Sequence, residues 1–223
     1  MMRKPSLVDY PGELSVIMFT AGCDFRCGFC HNAQLLGCGG AKRYTYAQLA
    51  ERLHKAKEEW VRAITVSGGE PTLQPALKET LKFIREMGFL VKLDTNGAHP
   101  GVLEECLPYI NYVAMDIKCS LPRYPEFVKF SDLDAIRESI KIIIGQAEDY
   151  EFRTTVLEAF HTVEDMTAAA EEIRGAKRWI LQPFVPHEDL PDPALCSEKR
   201  TRPAFLQQCA AAIRPIIPGV VVR

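Results

Sequence analysis

A chain of 223 residues is long enough for one large domain or two small ones, and with 47% hydrophobic and 25% charged residues it can bury a core without disulfide or metal staples. A formal net charge of −2 offers no field to draw in nucleic acid or an anionic membrane surface. No apolar run approaches a membrane span, and the basic start Met1-Met2-Arg3-Lys4 leads into Asp9-Tyr10-Pro11-Gly12 with no apolar stretch between, so no secretory signal is expected and a cytoplasmic location is the default.

Taken in chain order, short apolar runs alternate with helical patterns. Strands are expected at 15–20, 63–67, 90–94, 112–116, 151–156 and 178–182, and helices near 45–60, 74–87, 101–107, 132–145, 163–174 and 200–213. The first helix has a start signal, because Thr45 and Gln48 have capping-box spacing, and its apolar face runs Leu49, Leu53, Ala56, Trp60. The fourth carries Leu133, Ile136, Ile140, Ile143 and Ile144 on one stripe. Such alternation implies parallel strands joined by right-handed crossovers, and six units suit a partial (β/α)6 barrel better than a complete eight-stranded one. The segment 183–193 holds four prolines and no period, which reads as an irregular loop. No repeat, low-complexity tract or internal linker interrupts the chain, so residues 1–223 are expected to form a single domain.

The polar, glycine-rich and thiol-bearing segments fall where the strands end. Gly22-Cys23-Asp24-Phe25-Arg26-Cys27-Gly28-Phe29-Cys30-His31-Asn32 follows the first strand, Ser67-Gly68-Gly69-Glu70-Pro71 the second, and Asp94-Thr95-Asn96-Gly97 the third. Asp116-Ile117-Lys118 closes the fourth and Gln182-Pro183 the sixth. In a parallel barrel these loops gather at one face. Core packing does not require that convergence, but a site does.

Eight cysteines in a cytosolic chain point to metal ligation or catalysis before disulfides. Cys23, Cys27 and Cys30 form Cys-x3-Cys-x2-Cys, three thiolates that can wrap one compact cluster from one loop and leave a fourth metal position open. An open position separates a catalytic metal site from a closed structural one, and electron-transfer clusters use four cysteines. Zinc would need a fourth ligand, and His31 is too close to Cys30 to join it comfortably. Cys38, Cys106, Cys119, Cys196 and Cys209 read as structural residues, because free cysteine behaves as a small buried hydrophobe.

Cys23-x3-Cys27-x2-Cys30, with Phe29 just before the last cysteine, resembles the motif of the radical S-adenosylmethionine (SAM) superfamily. The resemblance implies a 4Fe–4S cluster on the three cysteines, SAM on the fourth iron, and adenine contact by the backbone near Phe29. Ser67-Gly68-Gly69-Glu70-Pro71 resembles the family segment whose backbone and glutamate hold the methionyl amine, and Gly68, Gly69 and Glu70 take that role. Glycine there lets backbone come close to a ligand.

Asp94-Thr95-Asn96-Gly97 and Asp116-Ile117-Lys118 narrow the resemblance to activases of glycyl radical enzymes, in which matching residues, here Asp94, Thr95 and Asp116, hold a monovalent cation beside the SAM carboxylate. Asp94 also suits the turn that Asn96-Gly97 signals, and Lys118 could replace the ion. Arg153 resembles a basic position that contacts SAM, though an arginine facing solvent on an edge strand fits the residues too. The opening Ser6-Leu7-Val8-Asp9-Tyr10-Pro11-Gly12 most resembles activating proteins of anaerobic ribonucleotide reductase, with Tyr10 where many activases have glycine.

These likenesses imply a glycyl radical enzyme as partner, a class III ribonucleotide reductase first, and a flavodoxin- or ferredoxin-type electron donor. A radical SAM enzyme of small molecules and a non-enzymatic metal-binding module stand as alternatives.

Overall fold

The computed structural model describes residues 4–39 and 42–223; Met1 to Arg3 of the basic start and Gly40 of the Gly-Cys-Gly-Gly stretch lie outside them. Seven strands, β1 (Ser15–Thr20), β2 (Ala63–Gly68), β3 (Leu90–Thr95), β4 (Tyr112–Asp116), β5 (Tyr150–Val156), β6 (Trp179–Pro183) and β7 (Val220–Val222), form one parallel sheet in sequential order. Between them run α1 (Tyr46–Glu58), α2 (Leu77–Glu86), α3 (Pro100–Cys106), the short α4 (Tyr124–Phe127), α5 (Leu133–Gln146), α6 (Val163–Glu172), the short α7 (Pro193–Cys196) and α8 (Pro203–Ile213).

Sequential parallel order dictates the shape. Right-handed crossovers between neighbouring strands all fall on one face of the sheet. A sheet covered on one face only curls, and one cavity here is walled by Ile17 and Phe19 of β1 together with Gln182 of β6. The strands therefore form a partial barrel. The six expected strands are present within a residue or two. β7 was not anticipated; three valines after Pro218-Gly219 are too short to read as a strand, and they pair with β6 through Trp179–Val220 and Leu181–Val222.

The two faces of the sheet differ in chemistry. Val16, Ile64, Val66, Val91, Leu93, Val113, Met115, Phe152, Trp179 and Leu181 belong to the core with Leu53, Leu81, Ile140, Ile143 and Ile213 of the helices. Each fully buried side chain of this kind contributes about 1.5–3 kcal/mol. The alternate residues, Thr65, Lys92, Asp94, Asp116, Glu151, Arg153, Thr155 and Gln182, face the barrel interior.

Helix starts follow the sequence signals. Thr45 and Gln48 make the expected reciprocal capping box on α1, and Asp132 and Thr162 cap α5 and α6 through Ala135 N and Asp165 N. The opening segment closes the barrel floor. Ser6 bridges Ser15, the Tyr10 ring packs 5.8 Å from that of Tyr112, and the Asp9 carbonyl accepts from Thr65 Oγ1 at 3.0 Å and Lys92 Nζ at 2.9 Å. Tyr10 thus fills the floor with an aromatic ring. No helix among the described residues is long and apolar enough to cross a membrane.

Candidate active site

The C-terminal strand ends open into a cavity of about 510 Å³. Cys23, Cys27, Cys30 and Phe29 line it from the loop after β1, Gly68, Gly69 and Glu70 from the end of β2, and Asp94, Thr95, Asp116 and Arg153 from β3, β4 and β5. Every site residue expected from the sequence therefore borders one space, joined by Asn96, Lys118 and Gln182.

The cysteine loop is held by its aromatic residues. Phe25 packs edge-on against Tyr124 and lies 4.8 Å from Phe130, and Phe29 stacks on Phe127, also at 4.8 Å. Backbone bonds close the loop: Gly22 N donates to Leu35 O, Cys30 N to Cys27 O, and Arg26 N to Val128 O. From the irregular segment after β6, Asp192 N donates to Gly28 O, and the Val185 carbonyl lies 2.9 Å from His31 Nε2. His31 thereby anchors the loop. His161 is buried and engaged through both ring nitrogens with Leu157 and Lys118 backbone, and His187 is exposed.

Burial pushes the Cys23 thiol up to about 11 and the Cys27 thiol up to about 12. Ligation must displace their protons, as for any metal-bound thiol. Lys118 acts in the opposite direction on both, so the wall carries a positive charge suited to an anionic thiolate cluster. No three His, Cys, Asp or Glu side chains among the described residues converge on a single ion. The three thiols border a cavity roomy enough for a multi-iron cluster, and the Gly68–Glu70 turn borders the same cavity. Cys106, Cys119 and Cys209 are buried as expected; Cys38 is exposed, its thiol toward Ala21 O, and Cys196 is half-buried. The reading of all five as buried hydrophobes fails for those two, because Cys38 sits in a surface loop and Cys196 ends the short α7, which buries none of its residues.

The glycines have a second reason to be glycine. Gly68 has φ +132, and a Cβ there would strike Thr20 backbone; a Cβ on Gly69 would strike the Gly22 carbonyl. Glu70 N donates to that same carbonyl at 2.7 Å. The Gly-Gly-Glu turn therefore seats the cysteine loop.

Glu70 is 1% exposed. Its Oε1 accepts from Thr72 N, Thr72 Oγ1 and Thr95 Oγ1, and its Oε2 from Asn96 N. Burial raises its pKa despite these bonds. With about four acceptor positions on a carboxylate, Oε2 keeps capacity for a further donor.

Asp94 and Asp116 sit among cations. Lys92 Nζ lies 2.8 Å and Arg153 Nη1 3.4 Å from Asp94 Oδ1. Asp116 Oδ1 accepts from Arg153 Nε at 3.0 Å and Oδ2 from Lys118 Nζ at 2.9 Å. Burial alone would raise both carboxyls, but Arg153 and Lys92 hold Asp94 low and Lys118 and Arg153 hold Asp116 at about 2. Arg153 faces the interior and pairs with the aspartates, so the solvent-facing alternative does not apply.

Sequence reasoning passed over three residues. Lys92 is 4% exposed; its signal was Lys-x-Asp at alternate strand positions. Asn96, read as a turn residue, has Nδ2 2.9 Å from Asp24 Oδ1 and 3.9 Å from Cys23 Sγ. Asp24 also meets His99 Nε2 at 3.1 Å, a contact that spacing could not foretell.

Comparison with known proteins places this site in context. A Methanocaldococcus jannaschii protein assigned by name to the glycyl-radical enzyme activating enzymes is 32% identical over 98% of this chain and 92% of its own length. The pyruvate formate-lyase-activating enzyme of Clostridium pasteurianum is 39% identical over 50% of the chain and 48% of the relative. A 7-carboxy-7-deazaguanine synthase of Thermococcus kodakarensis is 24% identical over 79% and 77%. Among solved structures, Streptococcus suis SuiB bound to precursor peptide SuiA superposes with a TM-score of 0.74 at 17% identity, over 96% of this chain and 49% of that one, a likeness of fold. The model of the radical SAM superfamily matches residues 17–157, and with cysteine loop, Gly-Gly-Glu turn and partial barrel meeting at one cavity, the chain belongs to the radical SAM superfamily of enzymes.

Proposed function

We propose that the protein activates a glycyl radical enzyme, with a class III ribonucleotide reductase as the first candidate and a flavodoxin- or ferredoxin-type protein as electron donor. The observation that carries the reading is the single cavity bordered by Cys23, Cys27, Cys30 and the Gly68–Glu70 turn, together with likeness to an activating enzyme along nearly the whole chain.

In this reading Cys23, Cys27 and Cys30 hold a 4Fe–4S cluster. When bound, the cluster supplies one electron to the SAM sulfonium, breaking the bond to the 5′-carbon and giving methionine and a 5′-deoxyadenosyl radical. Glu70 Oε2 and the Gly68–Gly69 backbone receive the methionyl amine. The backbone around Phe29, fixed by the Phe127 stack, borders the adenine. Arg153 and Lys118 bring positive charge to the SAM carboxylate, where the low-dielectric surroundings strengthen it. The partner's glycine α-carbon would enter this cavity as the hydrogen-atom donor, so that 5′-deoxyadenosine and a glycyl radical would be the products. The barrel walls exclude water and competing C–H bonds.

The test mixes reduced, cluster-loaded protein, SAM and the candidate reductase without oxygen and records the electron paramagnetic resonance spectrum. A doublet that disappears when the target glycine is changed to alanine is expected. SAM cleavage without a radical on any glycyl radical enzyme of the same genome would favour the second reading, a small-molecule substrate. The likeness to 7-carboxy-7-deazaguanine synthases supports that alternative.

A further inference from the structure

The activase resemblance carries a monovalent cation, held by Asp94, Thr95 and Asp116. Their donor set does not fit such an ion. The Thr95 hydroxyl donates to Glu70 Oε1 at 2.8 Å and accepts from Gly97 N at 3.1 Å. Both Asp116 oxygens are taken, one by Arg153 and the other by Lys118. Asp94 Oδ1 is shared by Lys92 and Arg153, so Asp94 Oδ2 is the one side-chain oxygen of the three residues left for an ion, which needs several.

Charge counting singles out Lys92. Arg153 and Lys118 alone would just neutralise Asp94 and Asp116, and the buried Glu151, which also acts on Arg153, is balanced by Arg223 at 3.6 Å, leaving nothing to balance a carboxylate arriving with SAM. Lys92 adds the missing positive charge. It reaches Asp94 from below: it lines a smaller cavity of about 370 Å³ beneath the main one, and the two cavities share Asp9, Asp94, Arg153 and Gln182 as walls. Its ammonium rests on a carboxylate oxygen at 2.8 Å and the Asp9 backbone carbonyl at 2.9 Å, hard oxygen donors of the kind that hold an alkali ion. An unpaired ammonium at this depth would be costly, and the two oxygens remove that cost.

We infer that the Lys92 ammonium is a tethered substitute for the monovalent cation, compensating Asp94 so that Arg153 and Lys118 are left with net positive charge toward the SAM carboxylate. Lys92 is a positioning residue, acting through Asp94. The inference rests on the SAM-binding reading above, and it makes SAM affinity indifferent to the alkali ion in solution.

The experiment titrates SAM into cluster-loaded wild type, Lys92→Met and Thr65→Val, in lithium, sodium, potassium, ammonium or tetramethylammonium chloride at one ionic strength. Wild type is expected to bind equally in all five. Lys92→Met should bind on the order of tenfold more weakly in tetramethylammonium, the scale of a modest coupling between sites, and recover in potassium or ammonium. Thr65→Val removes the other donor to Asp9 O without changing charge, and should stay ion-indifferent. Ion-dependent binding by the wild type would overturn the inference even if Lys92→Met fails to fold. Equal weakening of Lys92→Met in every salt would overturn it too, since that is what anchoring of the opening segment alone predicts. A wild type that holds its cluster yet binds no SAM in any salt would overturn the functional reading beneath it.

Discussion

The two faces of the sheet are built from the same strands, one residue out of phase, and have opposite characters. Leu93 packs among helices with no exposed surface; Asp94, its neighbour, faces the cavity between Lys92 and Arg153. Alternation along a strand lets one element serve stability and chemistry at once. The outer face gains from every apolar atom it buries. The inner face is held by ion pairs whose attraction largely offsets desolvation, so its charges are better explained by what they bind than by stability.

The largest effect that separates the two regions should come from the cysteines. Cys27→Ala is expected to abolish the brown absorbance and bound iron of anaerobically reconstituted protein, since in the proposed reading Cys23, Cys27 and Cys30 are the whole protein ligand set. Cys106→Ala, on the outer side and buried in the core, should retain about four irons per chain. Iron analysis of the two variants decides it, and a full cluster in Cys27→Ala would erase the distinction.

Gly69→Val should come next. Sequence reasoning alone expects this change to weaken SAM binding with the cluster intact. The structure puts the new side chain against the Gly22 carbonyl, so both iron loading and SAM affinity should fall together. Normal iron content with lost SAM affinity would return the glycine to a purely ligand-facing role.

Leu93→Ala tests the outer face. It should destabilise the cluster-free protein by about 2–5 kcal/mol, the cost of a large-to-small core change, read as a lower urea midpoint. The fraction that stays folded should still load iron. Loss of the cluster without loss of stability would mean the two faces are not separable.

The smallest effect is a pH dependence of the inner face. Asp116 is held at about 2, below the usual 3.8, and Asp94 is also held low. A depressed carboxyl contributes stability above its unfolded value that is lost as pH falls through its folded one. The cluster-free wild type should therefore lose stability between pH 4 and pH 2 more steeply than Asp116→Asn. Glu70 has the opposite sign, being raised by burial, and partly offsets the slope. Parallel acid limbs in urea midpoints would contradict the assignment.

Much of this was legible in the sequence because period-two alternation and loop position are local properties. The six strands, the capping box at Thr45 and the gathering of Cys23, Gly69, Glu70, Asp94 and Asp116 at one end all follow from spacing. What was not legible depends on contacts between distant segments. Tyr10 against Tyr112, Asp24 against His99, and the Gly22 carbonyl against Gly69 join residues that no local pattern links. β7 escaped because a three-residue strand gains its identity only from pairing with β6. Lys92 was overlooked because a lysine in a strand usually faces water; only the fold shows that this one faces a carboxylate.

In the proposed reading one cavity holds the cluster and SAM together, with the amine of SAM on the side that the Gly68–Glu70 turn borders. The most direct measurement is pulsed electron–nuclear resonance on the reduced, cluster-loaded protein with SAM labelled by ¹⁵N at the methionyl amine. A ¹⁵N hyperfine coupling to the cluster spin should appear on adding labelled SAM. A protein that binds labelled SAM with no such coupling would hold the ligand away from the cysteine loop, and the shared cavity would not be the SAM site.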